Sequence, residues 1–177
     1  MEAAPSRAAS ALCSPAMNDV GASDPKVRRV VEAGRDRGIE VRPHVFSAET
    51  RTAMDAAREV GCDVAQIVKS LVFHSNGKPL LFLVAGNNRL DAKRAALAAG
   101  VPKVEKADAA GVKAATGFSI GATPPFGHDQ EIPVLMDEDL LQHDEVWAAA
   151  DRPDAVFPAN PAHLKSAVDA VVTELKE

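Results

Sequence analysis

The stretch QIVKSLVFHSNGKPLLFLVAG, residues 66–86, decides the fold. Two apolar runs of strand length flank Asn76-Gly77, the dipeptide that most readily takes the left-handed backbone of a two-residue hairpin turn. The runs are nearly continuous rather than alternating, which predicts a hairpin buried on both faces at the centre of a sheet.

Upstream, Ser23 or Asp24 caps a helix with Pro25 in its first turn and Val27, Val30 and Val31 on one face, and Gly38 ends it. IEVRPHVF (39–46) predicts a short strand with Pro43 at an edge or bulge. Thr50 or Thr52 opens a second helix through Ala53, Ala56, Ala57 and Val60, closed by Gly61. Downstream, NNRLDAKRAALAAG (87–100) predicts a helix with an Ala-rich inner face, and KADAAGVKAATG (106–117) another, interrupted at Gly111. GFSIGATPPFGH (117–128) is too dense in Gly and Pro for regular structure. IPVLMDEDLL, HDEVWAAA and AVFPAN supply further strands. Asn160 or Pro161 starts a last helix burying Leu164, Ala167, Val168, Val171, Val172 and Leu175. Interleaved helices and strands with no repeat predict a single α/β domain over residues 23–177. Residues 1–22, rich in Ala, Ser and Pro, are expected to be a disordered leader, with Met17 as an alternative start.

The chain has 177 residues, 46% of them apolar, enough for one ordinary core. Its 20 Lys and Arg against 25 Asp and Glu give a net charge of -5, which argues against nonspecific coating of nucleic acid, DNA included. Six Phe, one Trp and no Tyr offer little for base stacking, so any nucleic-acid contact must be local. Cys13 and Cys62 do not make a disulfide framework, which suits a reducing cytoplasm. No apolar run reaches membrane-spanning length, and the N-terminus lacks the pattern of a secretory signal. The five histidines and two cysteines show no metal-ligand spacing, so neither metal nor cofactor is expected. The carboxylates of DEDLL (137–141) fit a solvated helix start.

Two features carry chemistry. Lys69 interrupts a run of Ile67, Val68, Leu71 and Val72, where a lysine either snorkels to an edge or is held in a cavity as an anchor for an anion. The Gly121 to Pro125 segment, G-x-x-x-P, is either a crossover loop or a stiff set of backbone amides presented to a developing oxyanion.

The buried lysine of QIVKSLVF, the strand PLLFLVAGNNRLD and the later TGFSIGATPPFGH together resemble the YbaK/ProRS-associated domain family over about residues 25–176. That family comprises free-standing aminoacyl-tRNA deacylases and the editing insertion of bacterial prolyl-tRNA synthetase. The resemblance implies a central mixed, partly barrel-like β-sheet surrounded by helices. It implies a catalytic set of Lys69, which holds the 3' end of the aminoacylated tRNA, and Gly121 and Pro125, whose loop surrounds the ester carbonyl. It implies that Ser70 tunes which aminoacyl group fits; the substrate-binding set expected around it is Ala122, Thr123 and Pro124 of the same loop, His128 at the loop's end, and Arg89. The PPFGH ending looks like one branch of the family, and no specific role carries over to His128. Arg89, Lys93 and Arg94 form a small basic group that either meets the acceptor stem or is a solvated helix face.

The expected activity is trans-editing: hydrolysis of tRNA mischarged with a small amino acid, Ala, Ser or Thr ahead of Cys. The expected partners are that tRNA end and an aminoacyl-tRNA synthetase such as prolyl-tRNA synthetase. The competing readings are a non-catalytic module that binds charged tRNA or a synthetase, and a hydrolase of small free esters.

Overall fold

The computed structural model describes residues 23–47 and 52–177. At its centre is the hairpin of β2 (Val68–Ser75) and β3 (Lys78–Ala85), antiparallel with Ser75 opposite Lys78. Asn76 and Gly77 both have positive φ, 48° and 77°, as a type I′ turn requires. Beyond the hairpin, β4 (Glu105–Lys106) lies antiparallel on β2, and β5 (Val134–Asp137) and β8 (Val171–Thr173) add in parallel beside β3. The result is a mixed five-stranded sheet in the order β4-β2-β3-β5-β8. A second, antiparallel sheet runs β1 (His44–Val45), β7 (Ala155–Ala159), β6 (Val146–Arg152). The two meet where Ile67, just before β2, bridges Trp147 of β6. They curl towards each other there without closing into a barrel.

Successive residues of a strand face opposite sides. Val68 and Val72, with Leu81, Leu83 and Ala85 across from them, pack into the main core against Val27, Val30, Phe118 and Phe157. Leu71 and Phe73, with Leu80, Phe82 and Val84, pack on the other face against Ala95, Ala96 and Leu175. β3 is buried on both faces, as the unbroken apolar run predicts. β2 differs: most of it is only half buried, because β4 covers just Phe73 and His74 and leaves the rest of its outer edge open.

Five helices cover these sheets among the described residues. α1 (Pro25–Asp36) is capped by Asp24, whose side chain accepts from the Lys26 N–H. α2 (Ala53–Val60) opens on Thr52 through a reciprocal capping box with Asp55 and closes on left-handed Gly61. Thr50, the other candidate cap, lies outside the described residues. α3 (Ala92–Ala99) is capped by Asp91, so it starts five residues later than the alanine pattern suggests. α4 (Ala109–Thr116) runs through Gly111 without interruption, because the glycine sits in the first turn, where its N–H is taken by the Asp108 carboxylate at 2.7 Å. α5 (Pro161–Val168) stops short of the expected end. Asp169 turns left-handed, and Val171 and Val172 form β8 instead, pairing with β5.

Candidate active site

The open edge of β2 is the floor of a cavity of about 320 Å³ between the two sheets. Its apolar wall comes from Ala53 and Ala56 of α2, Val112 of α4, and Trp147, Ala149 and Val156 of the second sheet. Val72 gives its carbonyl to Ala107 N–H at this edge. Antiparallel alternation therefore turns the N–H and C=O of Ser70 the same way, where no strand covers them. The Ser70 hydroxyl is buried and makes no hydrogen bond among the described residues.

Lys69 points from the opposite face of the strand yet reaches the cavity wall. Its ammonium donates to the backbone carbonyl of Asn88. Burial pushes its pKa below the usual lysine value, and the negative charge of Asp137 partly offsets the shift.

Across the cavity stands the turn of residues 119–123. Ala122 N–H donates to Ser119 O at 3.1 Å, and the buried Thr123 hydroxyl donates to the same carbonyl, also at 3.1 Å. Gly121 has φ +81°, and a Cβ there would meet nothing within 4 Å, so backbone conformation alone requires the glycine. Gly121 and Thr123 line the cavity, and their backbone N–H groups donate to no acceptor among the described residues.

The loop carrying this turn is held from outside. Thr116 Oγ1 accepts the Phe118 N–H at 3.0 Å, and Asp129 N–H donates to Thr116 O. Arg29 of α1 donates to Gly127 O and pairs with Asp129 while lying 4.3 Å from the Phe118 ring centroid. Asp151, itself left-handed at φ 64°, donates its N–H to Ala122 O.

Of the residues singled out from the sequence, Lys69, Ser70, Gly121 and Thr123 share one cavity. Ala122, Pro124 and Pro125 are buried behind it as the back of the loop. His128 packs edge-on against Phe118 and shares a 2.8 Å hydrogen bond with Pro124 O, so it braces the loop and is absent from the wall. Its burial lowers its pKa. Arg89 lies off the cavity in a 3.4 Å ion pair with Glu177, and Arg94 pairs with Glu174 at 2.7 Å. Two cations the sequence did not flag do line the wall, Lys106 and Arg152. Arg152 is already committed, bridging Asp154 and the α1 cap Asp24. DEDLL proves to be more than a solvated helix start: Asp137 caps a short 3-10 turn but is fully buried.

The described residues contain no group of His, Cys, Asp and Glu able to hold a metal ion, and no helix long and apolar enough to cross a membrane.

Fold and site thus define a small single α/β domain with a cavity at an open strand edge that carries Lys69, Lys106 and Arg152 on its wall. The chain belongs to the aminoacyl-tRNA editing domain family, whose model matches residues 47–167, and so to the aminoacyl-tRNA hydrolases. Among its relatives is EbsC of Enterococcus faecalis, whose name assigns it to Cys-tRNA(Pro)/Cys-tRNA(Cys) deacylation; it is 26% identical over 73% of this chain and 80% of its own. A proline–tRNA ligase of Desulfovibrio desulfuricans is 30% identical over 74% of this chain, but that match spans only 21% of the ligase. A crystal structure described as a trans-editing enzyme for prolyl-tRNA synthetase superposes with a TM-score of 0.83 at 45% identity, covering 87% of this chain and 98% of that one.

Proposed function

We propose that this protein is a free-standing editing enzyme that hydrolyses tRNA mischarged with a small amino acid, and that residues 23–177 form the editing unit. The observation that carries the reading is the meeting of Lys69 and the Gly121–Thr123 turn on one cavity, the turn bringing two amide donors that are unclaimed among the described residues.

An aminoacyl ester is already activated, so catalysis needs an oriented water and a stabilised oxyanion more than a strong nucleophile. Lys69 holds the phosphate-bearing 3' end of the tRNA, and its half-dry setting strengthens that attraction over the value in water. Water adds to the ester carbonyl, and the oxygen that becomes negative sits on the Gly121 and Thr123 N–H groups. The carbon–oxygen bond to the terminal ribose then breaks, and the proton given up by the added water passes by way of the neighbouring ribose hydroxyl to the leaving ribose oxygen. No covalent intermediate forms. Ala122, Pro124 and Pro125 hold the turn from behind, and Ser70 brings to the cavity edge a hydroxyl left unsatisfied among the described residues.

The mostly apolar wall and limited volume favour small aminoacyl groups: Ala, Ser and Thr, with Cys supported by the name of EbsC. The relation to prolyl-tRNA synthetases and their trans-editing partners supports tRNA(Pro) as the carrier, prolyl-tRNA synthetase as the partner, and the cytoplasm as the place. A separate enzyme is useful because a synthetase pocket separates substrates differing by a methylene by only about 10–200-fold. The test is a panel of tRNAs charged with Ala, Ser, Thr, Cys or Pro. Loss of one or more of the small aminoacyl esters, with Pro-tRNA(Pro) spared, is expected; no turnover of any of them would overturn the reading.

A further inference from the structure

The network behind Lys69 extends beyond its hydrogen bond to Asn88 O. Asn88, whose backbone carbonyl receives the ammonium, is fixed at both ends: its N–H donates to Ala85 O at 2.9 Å, and its side-chain amide donates to Asp137 Oδ2 and to Asp139 Oδ2, each at 2.8 Å. Asp137 accepts twice more, from Asp139 N–H at 3.3 Å and from Ala85 N–H at 3.4 Å. Lys176 Nζ closes the far side on Asp139 Oδ2 at 2.8 Å. The C-terminal residues that bring Lys176 there are pinned beside Asn88, with Asp91 N–H on Leu175 O and Glu177 N–H on Arg89 O.

Asp137 is the one fully buried acid among the described residues. A buried carboxylate is costly unless it is compensated, and nothing in the 3-10 turn it caps requires a charge there. The cations within reach are Lys69 on one side and Lys176 on the other. Among the described residues no acid lines the cavity with Lys69: the other charged groups of that wall are Lys106, on β4, and Arg152, which is held by Asp24 and Asp154.

We propose that Asp137, acting through Asn88, is the positioning residue that holds the Lys69 ammonium charged and aimed into the cavity. The inference rests on the editing reading for its catalytic consequence, but not for its physical content. Asp137 supplies the opposing charge, Asn88 the fixed acceptor, and Asp139 with Lys176 the outer brace.

The test follows Lys69 itself through pH, by NMR of its ε-methylene, in the intact protein and in Asp137→Asn. Removing the carboxylate is expected to lower the Lys69 midpoint by about one pH unit or more. The alkaline limb of deacylation should move down by the same amount. Asn88→Ala, which keeps both carboxylates but frees the backbone carbonyl, should reduce kcat/KM at least about ten-fold while leaving that limb in place. It also supplies the test if Asp137→Asn does not fold. An unmoved Lys69 midpoint in folded Asp137→Asn, or full activity in Asn88→Ala, overturns the proposal. A wild-type protein that hydrolyses no charged tRNA would instead overturn the editing reading, and the NMR midpoint would still decide the role of Asp137.

Discussion

Gly121→Ala separates what the loop does for stability from what it does for chemistry. The methyl group would meet nothing within 4 Å, so the cost is that of the left-handed backbone alone, about 1–2 kcal/mol. Against a typical stability of about 5–15 kcal/mol the protein stays folded, with a melting temperature lower by about 2–8 °C for a chain of this size. Catalysis should suffer more. The strain is relieved by rotating the peptide units around residue 121, which takes an N–H away from the cavity. Loss of one oxyanion donor costs about 10²–10³ in kcat. KM should hardly change, because the oxyanion exists only after water has added. Gly100→Ala is the control: Gly100 is also left-handed, at φ +68°, also has open space around it, and ends α3 away from the cavity. Both variants should lose similar stability in thermal melts, and single-turnover deacylation should fall about a hundred-fold or more only in Gly121→Ala. Equal activity in the two would refute the placement of the oxyanion at this turn.

Lys69→Arg keeps its charge at every accessible pH, so the alkaline limb expected from the lowered lysine pKa should vanish from the pH–rate profile; the plateau should also be lower, because a planar fork cannot replace one ammonium on one carbonyl. His128 has a folded pKa below its ordinary 6.5, so its contribution to stability is complete above about pH 6.5 and is lost as pH falls through the folded value. Melting temperatures measured from about pH 7 down to about pH 5 should therefore drop less in His128→Gln than in the wild type. Gly86→Ala would drive a Cβ onto the Val64 carbonyl oxygen and to 3.1 Å from Ile67 Cβ, so overpacking should cost about 1–3 kcal/mol, read from denaturant midpoints.

How far residues alone specify this protein depends on whether the information is local. The hairpin was legible because Asn76-Gly77 dictates its own turn and the flanking runs have nowhere to go but a sheet. The caps at Asp24, Thr52 and Asn160 were legible for the same reason. The last helix was overrun because Val168, Val171, Val172 and Leu175 suit a helical face as well as a strand; the free edge of β5 decides, and no local pattern reports it. The site divides likewise. Lys69 stands out against its apolar neighbours, and Gly121 sits in an obvious loop, but their pairing was read from the family resemblance. Trp147, Lys106 and Arg152 reach the cavity only through sheet pairing between distant segments. Asp137 looked like any acid at a helix start until β5 buried it beneath Asn88.

The most direct measurement of the central claim is single-turnover ester loss from tRNA(Pro) charged with Ala or Cys, with enzyme in excess, comparing the wild type with Lys69→Ala. The wild type should clear at least one of the two esters far faster than its spontaneous decay, and Lys69→Ala should bring the rate back close to that decay while remaining folded. Decay at the spontaneous rate with the wild type, or an undiminished rate in Lys69→Ala, would contradict it.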